Sequence, residues 1–434
     1  MRGTSPHLLR SYIQHALYSR ASGYFSAKQV VGGLRESLPF ATLRDEAAYR
    51  EAARTHWNTG DSGSAWLTPC EIFTPYYGEA IARSIVARHK RAYGSSEPLQ
   101  LLEIGGGNGT FAADVLRFLR REEPDLFSRC KYLLVEISES LADVQRRNLS
   151  DLGAERVEVI HSCASEWAAE RSSSQQLEGP WFITLLEVLD NLPHDRLRVS
   201  SSSSLEEAVV AQKTPGDELR RPTYSQSFRP LSDPELFETA ELLELTSIEA
   251  LQSLHDDNAR TTGAASGSDL ALELTRMTSF LLGETGRGET STGGPTSQDV
   301  LVPTGCYTLL KALCGAVKEP PSFTIADFSW LPPQPDGAIN APVVQVQRSG
   351  QTIDLRGDYL KACGDADILF PTNFEHLATM VQAASGSSGG VAVSSSATAE
   401  FMKEWSVPYA QTATQSGYDP LVDDFSNTRI LVSG

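Results

Sequence analysis

Three short segments carry the residues best able to do chemistry. The first is Glu103-Ile104-Gly105-Gly106-Gly107-Asn108-Gly109-Thr110, between an apolar run and a helical pattern. Glycines at 105, 107 and 109 permit a tight turn and let a ligand lie against bare backbone at a helix N-terminus. The second is Tyr132-Leu133-Leu134-Val135-Glu136, in which an acid at the end of a strand can accept two ribose hydroxyls of a nucleoside. The third, Leu185–Pro193, places Glu187 and Asp190 after a further apolar run. Those two acids have two readings: charge at a helix start, favoured by the positive dipole end, or a carboxylate pair facing a cationic substrate group.

The elements that must position these residues follow from hydrophobic spacing. Helices are expected over residues 76–92, 110–121 and 141–149, and strands over 99–104, 131–137, 157–161 and 181–187. Strands alternating with helices imply a parallel sheet covered on both faces. Periodicity breaks at the serine run Ser200–Ser204, at 258–268 and 283–299, and again at 385–398, where Gly, Ser and Thr accumulate and flexible loops are expected. Residues 234–255 are acidic with leucines at helical spacing and read as a surface helix within that insertion. Periodic structure returns at 301–317, 323–327, 341–347 and 357–377.

The glycine loop narrows the choice of cofactor. A dinucleotide fingerprint is spaced G-x-G-x-x-G, whereas here the sixth position is Thr110 and the spacing is G-x-G-x-G. That disfavours a nicotinamide dinucleotide and an oxidoreductase. It suits S-adenosylmethionine, which has no pyrophosphate to cradle and needs backbone close to its methionine part, with Glu103 alongside.

Composition sets further limits. The chain has 434 residues, long for one domain, and a net charge of −18. Phosphate backbones repel such a surface, so sequence-independent nucleic-acid binding is disfavoured and a basic protein partner is compatible. The six cysteines form no C-x-x-C pair and no Cys/His cluster has zinc spacing, so neither a disulfide frame nor a metal site is expected. No apolar run reaches the roughly 18 residues of a membrane span. Residues 1–35 contain Arg2, Arg10, Arg20, Lys28 and Arg35 and no acid, as in a mitochondrial transit peptide. The competing reading is an amphipathic helix with Leu9, Ile13, Ala16 and Leu17 on one face.

Several motifs together resemble the MidA-like methyltransferases, a family that includes a mitochondrial enzyme methylating an arginine of a respiratory complex I subunit. Ser22-Gly23-Tyr24-Phe25-Ser26 is similar to the family's G-Y-Y-S, and Thr68-Pro69-Cys70-Glu71-Ile72-Phe73 with Tyr77-Gly78-Glu79 to its T-S-P-E-I-S…F-G-E. The 103–110 loop resembles E-x-G-x-G-x-G-T, and Leu186–Pro193 resembles N-E-F-F-D-A-L-P. Residues 325–328 and 367–374 resemble a divergent eukaryotic branch. The likeness runs over roughly 8–195 and 300–434. Leu186 stands where the family has asparagine, and the insertion after Pro193 is atypical.

The resemblance implies an α/β, Rossmann-like class I methyltransferase with a seven-stranded, mainly parallel sheet. The expected organisation is an N-terminal helical cover (1–95), a cofactor-binding core (96–199), a flexible insertion (200–300) and a C-terminal completion of the fold (301–434). S-adenosyl-L-methionine is the implied cofactor, held by Glu71, Glu103, Gly105, Gly107, Asn108, Gly109, Thr110 and Glu136. Glu187 and Asp190 are the expected catalytic acids and no metal is expected. The implied activity is methylation of a protein arginine in the mitochondrial matrix. The rival expectation is a catalytically weak assembly factor for a mitochondrial complex or ribosome. The expected partner is a protein substrate or assembly partner, and a dimer is allowed.

Overall fold

Seven strands of one sheet position the glycine loop. In chain order they are β1 (Gln100–Ile104), β2 (Lys131–Glu136), β3 (Val157–His161), β4 (Trp181–Leu186), β5 (Ser322–Phe328), β6 (Val393–Ala397) and β7 (Thr428–Ser433). Their spatial order is β6-β7-β5-β4-β1-β2-β3. β1 through β5 are mutually parallel, and β7 runs antiparallel to both β5 and β6. All five residues of β1 are buried, as expected for a central parallel strand covered on both faces. The chain order reverses at β1, between β2 and β4. Ligands of open α/β sheets bind at such a switch point, beyond the carboxyl ends of the strands.

The computed structural model describes residues 5–27, 30–34, 37–58, 66–153, 155–200, 202–214, 221–247, 249–251, 254, 299–348, 351–386, 391–408 and 410–434. The chain divides into two units. One comprises residues 28–188, 311–329 and 381–434 and holds the seven-stranded sheet; the other comprises 1–27, 189–310 and 330–380.

The sheet-bearing unit includes the helices α1 (Pro69–Ile72), α2 (Tyr76–Tyr93), α3 (Thr110–Glu122) and α4 (Glu139–Asn148). α3 buries Phe111, Val115, Phe118 and Leu119, spaced three or four apart, which is the period of one helical face. α4 is capped by Ser138, whose hydroxyl accepts the Leu141 N–H at 3.4 Å.

The other unit holds a five-stranded sheet of His7–Leu8, Asp195–Val199, Leu205–Thr214, Thr223–Pro230 and Asp299–Val302, and a three-stranded sheet of Val343–Arg348, Gln351–Asp354 and Ala366–Leu369. Helix Leu9–Tyr18 buries Leu9, Ile13, Ala16 and Leu17, as its spacing predicts. The Arg10 guanidinium pairs with Asp195 at 2.7 Å and Asp233 at 2.8 Å.

The expected helices and strands of 76–187 are present to within two residues at each end. The expected segment boundaries differ more. The first part of 200–300 is structured: its two long strands pair over eight positions, burying Ala208, Val209 and Val210, and helix Pro234–Leu242 buries Leu236 and Ala240. The Gly/Ser/Thr-rich remainder, 255–298, lies outside the described residues. Residues 393–397 of the expected flexible stretch 385–398 form β6, because Ser-rich sequence suffices for an edge strand whose partner supplies the ladder. Residues 301–434 do not form one completing segment, since 330–380 belong to the other unit. Residues 1–95 likewise divide between the units after Ala27.

Candidate active site

The glycine loop turns sharply where β1 ends. Gly105, Gly107 and Gly109 have φ of +69°, +52° and +79°, the left-handed region that glycine enters without a Cβ penalty. The Gly105 N–H donates to the Val135 carbonyl at 3.0 Å, tying the turn to β2. A Cβ at Gly105 would come within 3.2 Å of the Val188 side chain, and one at Gly109 within 3.3 Å of Gln145 Cγ. A Cβ at Gly107 would meet only Val31, at 3.6 Å. The loop therefore keeps open backbone at Gly107 while packing tightly on either side.

Glu71, on α1, joins the loop to the segment before it. Its Oε1 accepts the Thr110 hydroxyl at 2.6 Å and the Asn108 amide at 3.3 Å. Asn108 also donates to the Gly32 carbonyl at 2.9 Å. Burial raises the Glu71 carboxyl, against the lowering effect of those two donors. Glu71, Asn108 and Thr110, expected as separate cofactor contacts, are thus one hydrogen-bonded cluster.

Two further acids lie at the ends of adjacent strands. Glu103 accepts the Tyr132 hydroxyl at 2.7 Å, and burial, with Glu136 nearby, pushes its carboxyl up to about 7. Glu136 Oε1 accepts the Ser138 N–H at 2.9 Å and its Oε2 accepts the Gln145 amide at 3.1 Å. Burial again dominates and carries Glu136 to about 7.

Glu187 follows β4 with φ of 54° and donates its N–H to the Ala326 carbonyl at 2.8 Å. A non-glycine residue at positive φ stores strain, which recurs at functional sites. Glu187 lines a cleft with Tyr77, Asp327, Thr398 and Phe425. Burial, then the charge of Asp327, lifts its carboxyl to about 8. The acid lining this cleft with Glu187 is Asp327, from the end of the neighbouring strand β5, and the expected Asp190 is not among the lining residues. Asp190 falls in the other unit, in a short 3-10 turn, where its carbonyl accepts the Phe370 N–H at 2.7 Å. β4 ends at Leu186, and Glu187, at positive φ, follows it directly. The Cys70 thiol of α1 is raised well above its ordinary value by burial and then by Glu187, Glu103 and Glu71.

Comparison with known proteins agrees with this geometry. A family described as "Putative S-adenosyl-L-methionine-dependent methyltransferase" matches residues 80–391. The chain belongs to this family. Its cofactor is S-adenosylmethionine. A superfamily member from Burkholderia thailandensis solved bound to S-adenosyl-homocysteine is similar in fold, at 16% identity and TM-score 0.54, over 99% of this chain and 88% of that one. An uncharacterized protein of the same superfamily and organism matches at 14% identity and TM-score 0.53, over 99% and 87%. No curated protein matches the chain. Among the described residues no helix is long and apolar enough to cross a membrane, and no group of acids, histidines and cysteines could hold a metal.

The residues present fit the cofactor. Gly107 leaves a backbone cradle with no Cβ to fill it. The acids about the loop are raised by burial, so hydroxyl donors or the positive charge of a sulfonium relieve them. Gln145 Oε1 is buried without a hydrogen-bond partner. Sequence reading quoted Tyr132, Tyr77 and Asp327 within motifs without giving them a site role, and missed Gln145. Tyr132 and Gln145 lie in a strand and a helix whose burial accounts for them equally well, and Asp327 becomes adjacent to Glu187 only once β4 and β5 pair.

Proposed function

We propose that the chain methylates an arginine side chain of a protein in the mitochondrial matrix during assembly of a larger complex. The observation that carries this reading is the carboxylate pair Glu187 and Asp327 lining one cleft beyond the ends of β4 and β5. The Val188 side chain next to Glu187 packs against Gly105 of the cofactor loop. When bound, S-adenosylmethionine supplies an electrophilic methyl on its sulfonium. The chain's own task is then to place the acceptor nitrogen in line and manage its charge.

A guanidinium presents donors in a fixed planar fork that suits carboxylates. Its charge is spread over three nitrogens, which makes each a poor nucleophile. Two acids held against the far nitrogens draw that charge away from the reacting one. Glu187 is ionised while it faces the guanidinium and accepts the proton lost from nitrogen on transfer, which its burial, with Asp327 nearby, favours. The net charge of −18 favours approach of a basic acceptor.

The test is incubation with methyl-labelled S-adenosylmethionine and a mitochondrial extract from cells lacking this chain, followed by identification of the labelled residue. Label on arginine, lost by about a hundredfold or more in Glu187→Gln and Asp327→Asn, is expected. Label on another residue type would refute the arginine assignment. Full assembly of a partner complex by a folded, methylation-dead Glu187→Gln protein would favour the non-catalytic role.

A further inference from the structure

We propose that Gln145 is a positioning residue for the cofactor, a clamp that fixes the Gly107 carbonyl and the Glu136 carboxylate in one geometry. The proposal rests on the placement of S-adenosylmethionine at the glycine loop with its ribose on Glu136. Gln145 Nε2 donates to the Gly107 carbonyl at 2.9 Å and to Glu136 Oε2 at 3.1 Å. Both amide hydrogens are therefore spent, and both acceptors belong to the cofactor site.

The burial of this side chain argues against a merely structural role. Gln145 is 0% exposed. Its Oε1 has no partner, and an unsatisfied buried acceptor costs free energy that a methionine of similar volume would not. Such a residue is worth keeping where its donors serve function. The fold also makes room for it: Gly109, at φ +79°, is the position where a Cβ would come within 3.4 Å of Gln145 Cα.

The helix supplies the second half of the clamp. Ser138, the cap of α4, and Gln145 are seven residues apart, about two turns, so they lie on one face. The Ser138 N–H holds Glu136 Oε1 at 2.9 Å while Gln145 holds Oε2. A carboxylate has about four lone-pair sites. With the Ile137 N–H also acting on the carboxylate, these donors fix both oxygens while leaving room on them for the ribose hydroxyls. Donation from Gln145 also favours the ionised carboxylate that can accept both.

The titratable groups on the elements around Glu136 are Glu103 on β1, Tyr132 and, at the far exposed end, Lys131 on β2, Glu158 and His161 on β3, and Glu139, Asp143, Arg146 and Arg147 on α4. Glu103 and Tyr132 are buried, whereas the β3 and α4 groups reach solvent. Glu103 is the acid whose own titration feels the charge of Glu136, and it is retained in each variant of the test.

Calorimetric titration of S-adenosyl-homocysteine between pH 6 and 9 tests the clamp, with thermal melting to confirm folding. Gln145→Met removes both donors at near-constant volume. It is expected to weaken binding about tenfold at pH 8 and to move upward the pH at which affinity collapses, because Glu136 loses a partner of its ionised form. A structural role would change the melting temperature without moving that pH. Gln145→Asn, one methylene too short for either acceptor, carries the same test if the methionine variant does not fold. A folded variant with wild-type affinity and an unmoved pH dependence would overturn the proposal, provided Glu136→Gln weakens binding. If Glu136→Gln also binds normally, the placement of the ribose is what fails.

Discussion

Glu136→Gln should make the unliganded protein more stable and the liganded one weaker. The carboxyl is 4% exposed and rises from 4.5 to about 7 through burial. At about 1.4 kcal/mol per pH unit, that is roughly 3 kcal/mol of preference for the protonated form. The sign follows from linkage. The folded state binds the proton more tightly than the unfolded one, so this group's stabilisation is fully present below about 4.5. It is lost as pH rises through about 7. A glutamine is neutral throughout and escapes that loss. It also turns a donor towards Ser138 or Gln145, forfeiting a hydrogen bond of about 1 kcal/mol. The variant should therefore gain about 1–2 kcal/mol over wild type at pH 8 and nothing at pH 5. Its affinity for S-adenosyl-homocysteine should fall at least about tenfold. Urea unfolding at the two pH values, beside a calorimetric titration, measures both. A variant with the same stability difference at pH 5 and pH 8, or with undiminished affinity, would refute the reasoning.

Other outcomes follow from the same geometry. Tyr132→Phe removes the 2.7 Å donor to buried Glu103 and should cost about 1–3 kcal/mol, more at pH 8 than at pH 6 because the ionised carboxylate loses the bond; urea unfolding at both pH values reads this. Thr110→Val breaks the 2.6 Å bond to Glu71 and should weaken cofactor binding several-fold in calorimetry while α3 remains intact by circular dichroism. Binding of an arginine-containing peptide at pH 7 should release a proton, since Glu187, raised to about 8, ionises on meeting a guanidinium. Titrations in buffers of different ionisation enthalpy would show it, and Glu187→Gln should abolish it.

Much of the sheet-bearing unit was legible because its signals are local. β1 is a short apolar run ending in glycines, and α3 shows helical spacing of Phe111, Val115 and Phe118. Glu103, Glu136 and the loop glycines could be found because each ends a strand or forms a turn. The partner of Glu187 could not. Asp327 is 140 positions away and comes alongside only through the parallel register of Leu186 with Ala326. Asp190 was paired with Glu187 because both follow the same apolar run, whose strand ends at Leu186 before a positive-φ residue. The strands 205–214 and 223–230 were missed for another reason. The serine run Ser200–Ser204 before them reads as a loop, but the buried Ala208, Val209 and Val210 that follow carry the ladder.

The central claim is that S-adenosylmethionine sits at the Gly105–Gly109 loop. Its most direct test is calorimetric titration of S-adenosylmethionine, and separately of NAD, into the wild-type chain and Gly107→Val. The substitution places a branched side chain on open backbone at φ +52°, where the ligand's methionine part needs close approach. One S-adenosylmethionine per wild-type chain, no NAD, and loss of binding in a variant that still folds are the expected results. Undiminished S-adenosylmethionine affinity in folded Gly107→Val, or tight binding of NAD by the wild type, would contradict the claim.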